Sequence, residues 1–219
     1  FPYTTLFRSE APSIGPYQIT EKIFTDYFGS VYHAHRKQDQ KKMLLRVISH
    51  EITNQKNFLL RFELLKGTVP QFKHPNLLEI DQIGNSEKLY FIAYNTSTKS
   101  NESLKILNKF KLDNSPNRFA QLEQIISGIT SAFDALQKFK PPFYKNGLCL
   151  YNPSLEDFYL FSEPALIGQE KKIKVKVSSY IESFLFFGDE PAHLLTHKLY
   201  KSLKKTSEPK MNVFSNEWL

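Results

Sequence analysis

The sequence predicts an α+β chain: a five-stranded sheet carrying one helix over residues 10–94, then a long helix and a hairpin within residues 95–219. Three observations predict it. Short apolar runs broken by turn residues recur through the first hundred positions, the pattern of strands. A single stretch of helical spacing interrupts them after the third run. Beyond them stands one long amphipathic helix with a clear start signal.

Tyr17, Ile19 and Ile23, then Val31 and Tyr32, mark two strands around a turn at Asp26 to Gly29. Met43-Leu44-Leu45-Arg46-Val47-Ile48 is an apolar run holding one cation, as a buried third strand would be. Phe58, Phe62, Leu65 and Val69 recur at helical spacing until Pro70 closes the segment. Leu77 to Ile80 and Leu89 to Tyr94 complete the sheet, joined near Gly84-Asn85. Asn95 to Ser103 reads as a polar connector. Ser115 as N-cap and Pro116 in the first turn open the long helix, with Phe119, Leu122, Ile126, Ile129, Phe133 and Leu136 as its apolar stripe. Pro141-Pro142 ends it. Phe158 to Phe161 and Ile173 to Val177 then form a hairpin around a long polar loop.

Composition narrows the function classes. With 41% hydrophobic and 14% aromatic residues the 219-residue chain can bury a core. The lone Cys149 excludes an internal disulfide framework and a thiolate zinc cluster, so a reducing, cytoplasmic setting is expected. Cys149 itself, in an apolar stretch, reads as a buried residue rather than a nucleophile. Apolar runs such as Phe184 to Phe187 fall far short of the roughly 20 residues that cross a bilayer. The net charge of +7 is spread over Lys41-Lys42, the run from Lys171 to Lys176 and Lys204-Lys205. These clusters read as solvated faces; nucleic acid or anionic lipid is not the expected partner. His33, His35, His50, His193 and His197 show no metal-ligand spacing.

Phe1 to Ser9 begins without Met and resembles the in-frame translation of a widely used sequencing-library adapter. It is expected to lie outside the fold, which makes the chain a fragment whose natural start is elsewhere.

The order of elements and several spaced motifs resemble the protein kinase family from Tyr17 to the end of the chain. Phe28-Gly29-Ser30-Val31-Tyr32-His33-Ala34 is similar to the second half of the glycine-rich loop, G-x-G-x-x-G-x-V-Y-x-A. Arg46, 17 residues after Gly29, stands where V-A-I-K places its lysine. Arg61-Phe62 and His74-Pro75-Asn76-Leu77-Leu78 are similar to the R-F-x-x-E helix of bacterial members and its H-P-N-I-V continuation. Gly147 to Leu160 falls without a gap on G-I-V-H-R-D-L-K-P-E-N-I-L-L. The resemblance implies a two-lobed fold, an N-lobe of five antiparallel strands plus one helix and a larger, mainly helical C-terminal lobe truncated near the activation segment, at a weakened A-P-E over Ser215-Asn216-Glu217.

It also implies a damaged catalytic apparatus. Phe24 and Asp26 occupy the first two glycine positions, and Asp26 would set a carboxylate against polyphosphate. Arg46 replaces the phosphate-binding lysine, keeping the charge but changing the geometry. The lysine's glutamate partner falls on Leu65, and Glu63 lies about 200° round the helix from it. The catalytic aspartate becomes Asn152, which cannot act as a base, and the neighbouring phosphate-contacting lysine becomes Ser154. The D-F-G motif falls on Ser179-Tyr180-Ile181, or in a second register on Phe186-Phe187-Gly188; neither supplies its aspartate. Asp157, in place of the metal-binding asparagine, is the one position that could still hold magnesium.

The resemblance therefore implies a pseudokinase acting as a scaffold or allosteric module for a protein partner. The alternative is a divergent Ser/Thr kinase retaining ATP binding, with Gly29, Val31, Leu44, Arg46, Ile92 and Tyr94 around the nucleotide. ATP and magnesium are expected ligands only in that case. An aggregating fragment, its lobe incomplete, is a further possibility carried by the truncation.

Overall fold

The computed structural model describes residues 12–96, 105–107, 118–142, 147–148, 150, 153–162 and 172–187. Phe1 to Ser9, Ser115-Pro116, Cys149, Asn152, Gly188, His193, His197 and Ser215 to Glu217 lie outside the described residues.

Six strands form the first sheet: β1 (Ser13–Ile14), β2 (Tyr17–Asp26), β3 (Gly29–Arg36), β4 (Lys42–Ile48), β5 (Glu79–Ser86) and β6 (Leu89–Asn95). Their order is β1-β2-β3-β4-β6-β5 and every pairing is antiparallel. The five expected strands are present, and the two-residue β1 adds an edge. Between β4 and β5 lie a single turn, α1 (His50–Thr53), and the expected helix, α2 (Phe58–Thr68).

Strand alternation divides the sheet into two faces. Tyr17, Ala34, Met43, Leu45, Phe91 and Ala93 form a small cluster on one side. Val31, Leu44, Ile48, Ile83, Ile92 and Tyr94 belong to the main core, which Phe58, Phe62 and Leu65 of α2 complete. The same core runs on into the second half of the chain through Ile125, Tyr159, Val175, Tyr180 and Leu185. Arg46 shares strand parity with Leu44 and Ile48, so it points inward.

The second half holds α3 (Arg118–Lys138), a three-stranded sheet of β7 (Lys105–Ile106), β8 (Phe158–Ser162) and β9 (Ile173–Val177), and a short α4 (Glu182–Phe187). β8 and β9 are the expected hairpin; β7, too short for a periodicity signal, was not expected.

Two local expectations are corrected. The β5–β6 turn falls at Glu87-Lys88, both with positive φ (49° and 71°), not at Gly84-Asn85. Gly84 sits inside β5 because a Cβ there would lie 2.8 Å from the Phe91 ring. On α3, Phe119 (81% exposed) and Ile126 (63%) face solvent, and the buried stripe is Ile125, Ala132 and Leu136, flanked by Ile129 and Phe133. The face was set by what α3 packs on, β9, where Gly128 allows close approach to Val175.

Candidate functional site

Arg46 is the centre of the site. It lies opposite Val31 on β3 and Ile92 on β6, and its side chain is 1% exposed. A guanidinium cannot be taken so far from water without partners. Three converge on it from distant parts of the chain.

The first is Asp26, at the end of β2. Its Oδ1 accepts from Arg46 Nη1 at 2.6 Å and from the backbone N–H groups of Phe28 at 2.9 Å and Gly29 at 3.0 Å. The amides of this turn are thus donated to a carboxylate of the chain itself. Gly29 is held by sterics: with φ at +134°, a Cβ would run into the Val47 carbonyl. Phe24 lies across the guanidinium, 5.5 Å from ring centroid to Cζ.

Glu182, the first residue of α4, is the second. It is 1% exposed and its Oε1 lies 3.1 Å from Arg46 Nε. That N–H makes no directed hydrogen bond, so the contact is an ion pair by proximity. The Tyr94 hydroxyl donates to Oε1 at 3.0 Å and the Ile181 N–H donates to Oε2 at 3.1 Å. Burial pushes the Glu182 carboxyl up to about 7 even though Arg46 pulls the other way. Burial opposes the charge on Arg46 as well, yet Glu182 and Asp26 outweigh it and hold the guanidinium charged. The Tyr94 phenol, fully enclosed, is pushed well above its ordinary value by burial, with the Glu182 charge adding to the effect.

Ser179 is the third, its Oγ accepting from Arg46 Nη2 at 3.0 Å. It closely follows the end of β9, with φ at +56°. Of the two D-F-G registers, Ser179-Tyr180-Ile181 is the one beside Arg46, while Phe186 and Phe187 fall within α4. Tyr180 is buried and its hydroxyl donates to the Leu78 carbonyl at 2.8 Å.

Asp157 stands close by, at the end of a 3₁₀ turn preceding β8. Its Oδ2 accepts from the Ser154 N–H at 2.8 Å and from Ser154 Oγ at 3.3 Å, a reciprocal cap. Burial raises its pKa, against the lowering effect of the Ser154 N–H. Among the described residues no group of three or more His, Cys, Asp and Glu is disposed to hold a metal ion. No described helix is long and apolar enough to cross a membrane.

The other expected positions resolve simply. Val31 and Ile92 lie directly opposite Arg46, Leu44 pairs with Tyr94 two residues along the strand, and Gly29 pairs with Ile48. Leu65 is core, and Glu63 is exposed and paired with Lys66 at 3.4 Å. Arg61 reaches across from α2 to the Leu185 carbonyl of α4, 2.8 Å away. His74-Pro75-Asn76 joins the two halves, with Asn76 Nδ2 donating to the Val175 carbonyl at 3.1 Å and the Leu78 N–H to that of Val177 at 2.9 Å. Glu182 was the residue missed. The signal was available: it is a lone acid in the apolar run Tyr180 to Phe187, as Arg46 is a lone cation in its own.

In this arrangement the amides of Phe28 and Gly29 and the guanidinium face internal anions, and Oδ2 of Asp157 is engaged by Ser154.

Solved structures of the Mycobacterium tuberculosis PknI kinase domain are similar to this chain. A double mutant of that domain superposes with a TM-score of 0.57 at 15% identity, over 84% of this chain and 71% of that one. Another structure of the domain gives 0.54 at 15% identity, over 78% and 61% respectively. The fold is protein-kinase-like, and the chain spans from 61% to 71% of these domains' length. No family model and no curated protein matches the chain.

Proposed function

We propose that this protein-kinase-like domain is a pseudokinase: it works by binding a protein partner and does not transfer phosphate. One observation carries the reading. The Asp26 carboxylate occupies both the turn amides and the Arg46 guanidinium, the groups that would otherwise meet a nucleotide's phosphates. Phosphoryl transfer depends almost wholly on positioning and charge stabilisation, so a site whose donors are already satisfied internally has little to offer it. The replacement of the catalytic base by Asn152 and of the D-F-G aspartate by Ser179 supports the same reading. Binding to a signalling protein is the role left to such a scaffold, by analogy of fold.

The test is thermal stabilisation of the chain by ATP, with and without magnesium. No shift at millimolar ATP is the expected outcome. A magnesium-dependent shift that is lost in Asp157→Ala would overturn the proposal in favour of a divergent Ser/Thr kinase.

A further inference from the structure

A concavity of about 290 Å³ lies where the His74-Pro75-Asn76 turn leads into β5 and β9 passes beside it. None of the residues around Arg46 lines it. Its apolar wall is Phe72, Pro75 and Leu77. Phe72 is held by stacking on Phe139, with ring centroids 4.4 Å apart, and Leu77 by its bridge to Val177. The wall is therefore preformed.

The charged groups of the cleft are not balanced. Glu79 is paired with Lys73 at 2.7 Å, and Lys73 holds its carboxyl below the usual range. His74 Nδ1 accepts the Asn76 N–H at 3.3 Å, and burial lowers its pKa against the pull of Asp134. That leaves Lys176. It is half-buried on β9 and forms no ion pair of its own among the described residues, Glu79 being already engaged. Burial lowers its pKa, with only partial relief from Glu79. A half-buried ammonium whose neighbouring carboxylate, Glu79, is already paired with Lys73, beside a rigid apolar wall, is half of a recognition site.

We propose that this cleft binds a small oxyanion carried on an apolar or aromatic body, with the anion at Lys176 and the body against Phe72, Pro75 and Leu77. The volume lies at the small end for ligand sites, so the ligand is fragment-sized or a single modified side chain. The oxyanion is the shared chemistry of carboxylates and phosphate monoesters.

Phenyl phosphate, titrated into the ¹⁵N-labelled full chain and followed by amide shifts, tests the proposal. Inorganic phosphate and phenol are the separate arms for anion and ring. Saturable shifts confined to Phe72–Glu79 and β9, with phenyl phosphate binding more tightly than either part, are expected. Lys176→Met should weaken binding by about tenfold, and Glu79→Gln, which removes the competing anion, should tighten it by about threefold. Because the two variants move in opposite directions, loss of fold cannot imitate the pattern. Absence of saturable shifts, or equal affinity in wild type and Lys176→Met, would overturn it.

Discussion

Arg46 and Glu182 are each 1% exposed and lie 3.1 Å apart. Deleting one member of a buried pair strands the other's charge at a cost of about 3–5 kcal/mol, whereas replacing both by apolar groups of similar volume is often close to neutral. Arg46→Met should therefore lower stability by about 3 kcal/mol, and adding Glu182→Leu should restore most of it. Urea unfolding of the two single variants and the double is the measurement; additive losses would show that the pair is not coupled. The same carboxyl gives a pH dependence. Its folded pKa, about 7, lies above its ordinary 4.5, so the protonated form is the one that folding favours. The contribution of Glu182 is then fully present below 4.5 and is lost as pH rises through 7. Relative to Glu182→Gln, the wild type should gain up to about 3 kcal/mol between pH 8 and pH 5. Urea midpoints at the two pH values would expose a flat difference if Arg46 holds the carboxylate ionised throughout.

Helices α2 and α3 each carry a glycine, and packing makes them opposites. At Gly67 on α2 a Cβ would meet nothing within 4 Å, so Gly67→Ala should stabilise by about 0.5–1 kcal/mol through helix propensity alone. At Gly128 on α3 a Cβ would meet Val175 Cγ1 and lie 3.0 Å from Asn76 Nδ2. Gly128→Ala should destabilise by about 1–3 kcal/mol, because overpacking against β9 outweighs the same propensity gain. Thermal melts of the two variants decide it, and a stabilised Gly128→Ala would mean that α3 is free to move away from β9. The periodicity that predicted both helices is a property of each segment alone. It located α2 correctly, yet on α3 it chose Phe119 and Ile126 for burial, since an apolar residue reads the same whether or not a neighbour arrives to cover it. Gly84 was misread as a turn residue for a similar reason: its need for a missing Cβ comes from Phe91 across the sheet.

The two halves of the molecule are joined by several polar links among the described residues, and Tyr180 supplies one of them. Tyr180→Phe would leave the buried Leu78 carbonyl without its side-chain donor and should cost about 1–2 kcal/mol. Hydrogen exchange should show faster opening at β9 and the Leu77-Leu78 segment than in β2 and β3; uniform acceleration over the whole sheet would count against Tyr180 as a local fastening. By itself the sequence determined the five main strands, α2 and the α+β class, because each follows from hydrophobic spacing within a few residues of chain; it placed Arg46 in a buried strand, but a run apolar on both faces does not say which way its one cation points. Only the tertiary structure decided what fills the space around Arg46. Asp26, Ser179 and Glu182 come from separate segments, Ser179 being 133 positions from Arg46. Buried charges select their partners by distance and desolvation, and distance is set only when the chain has folded.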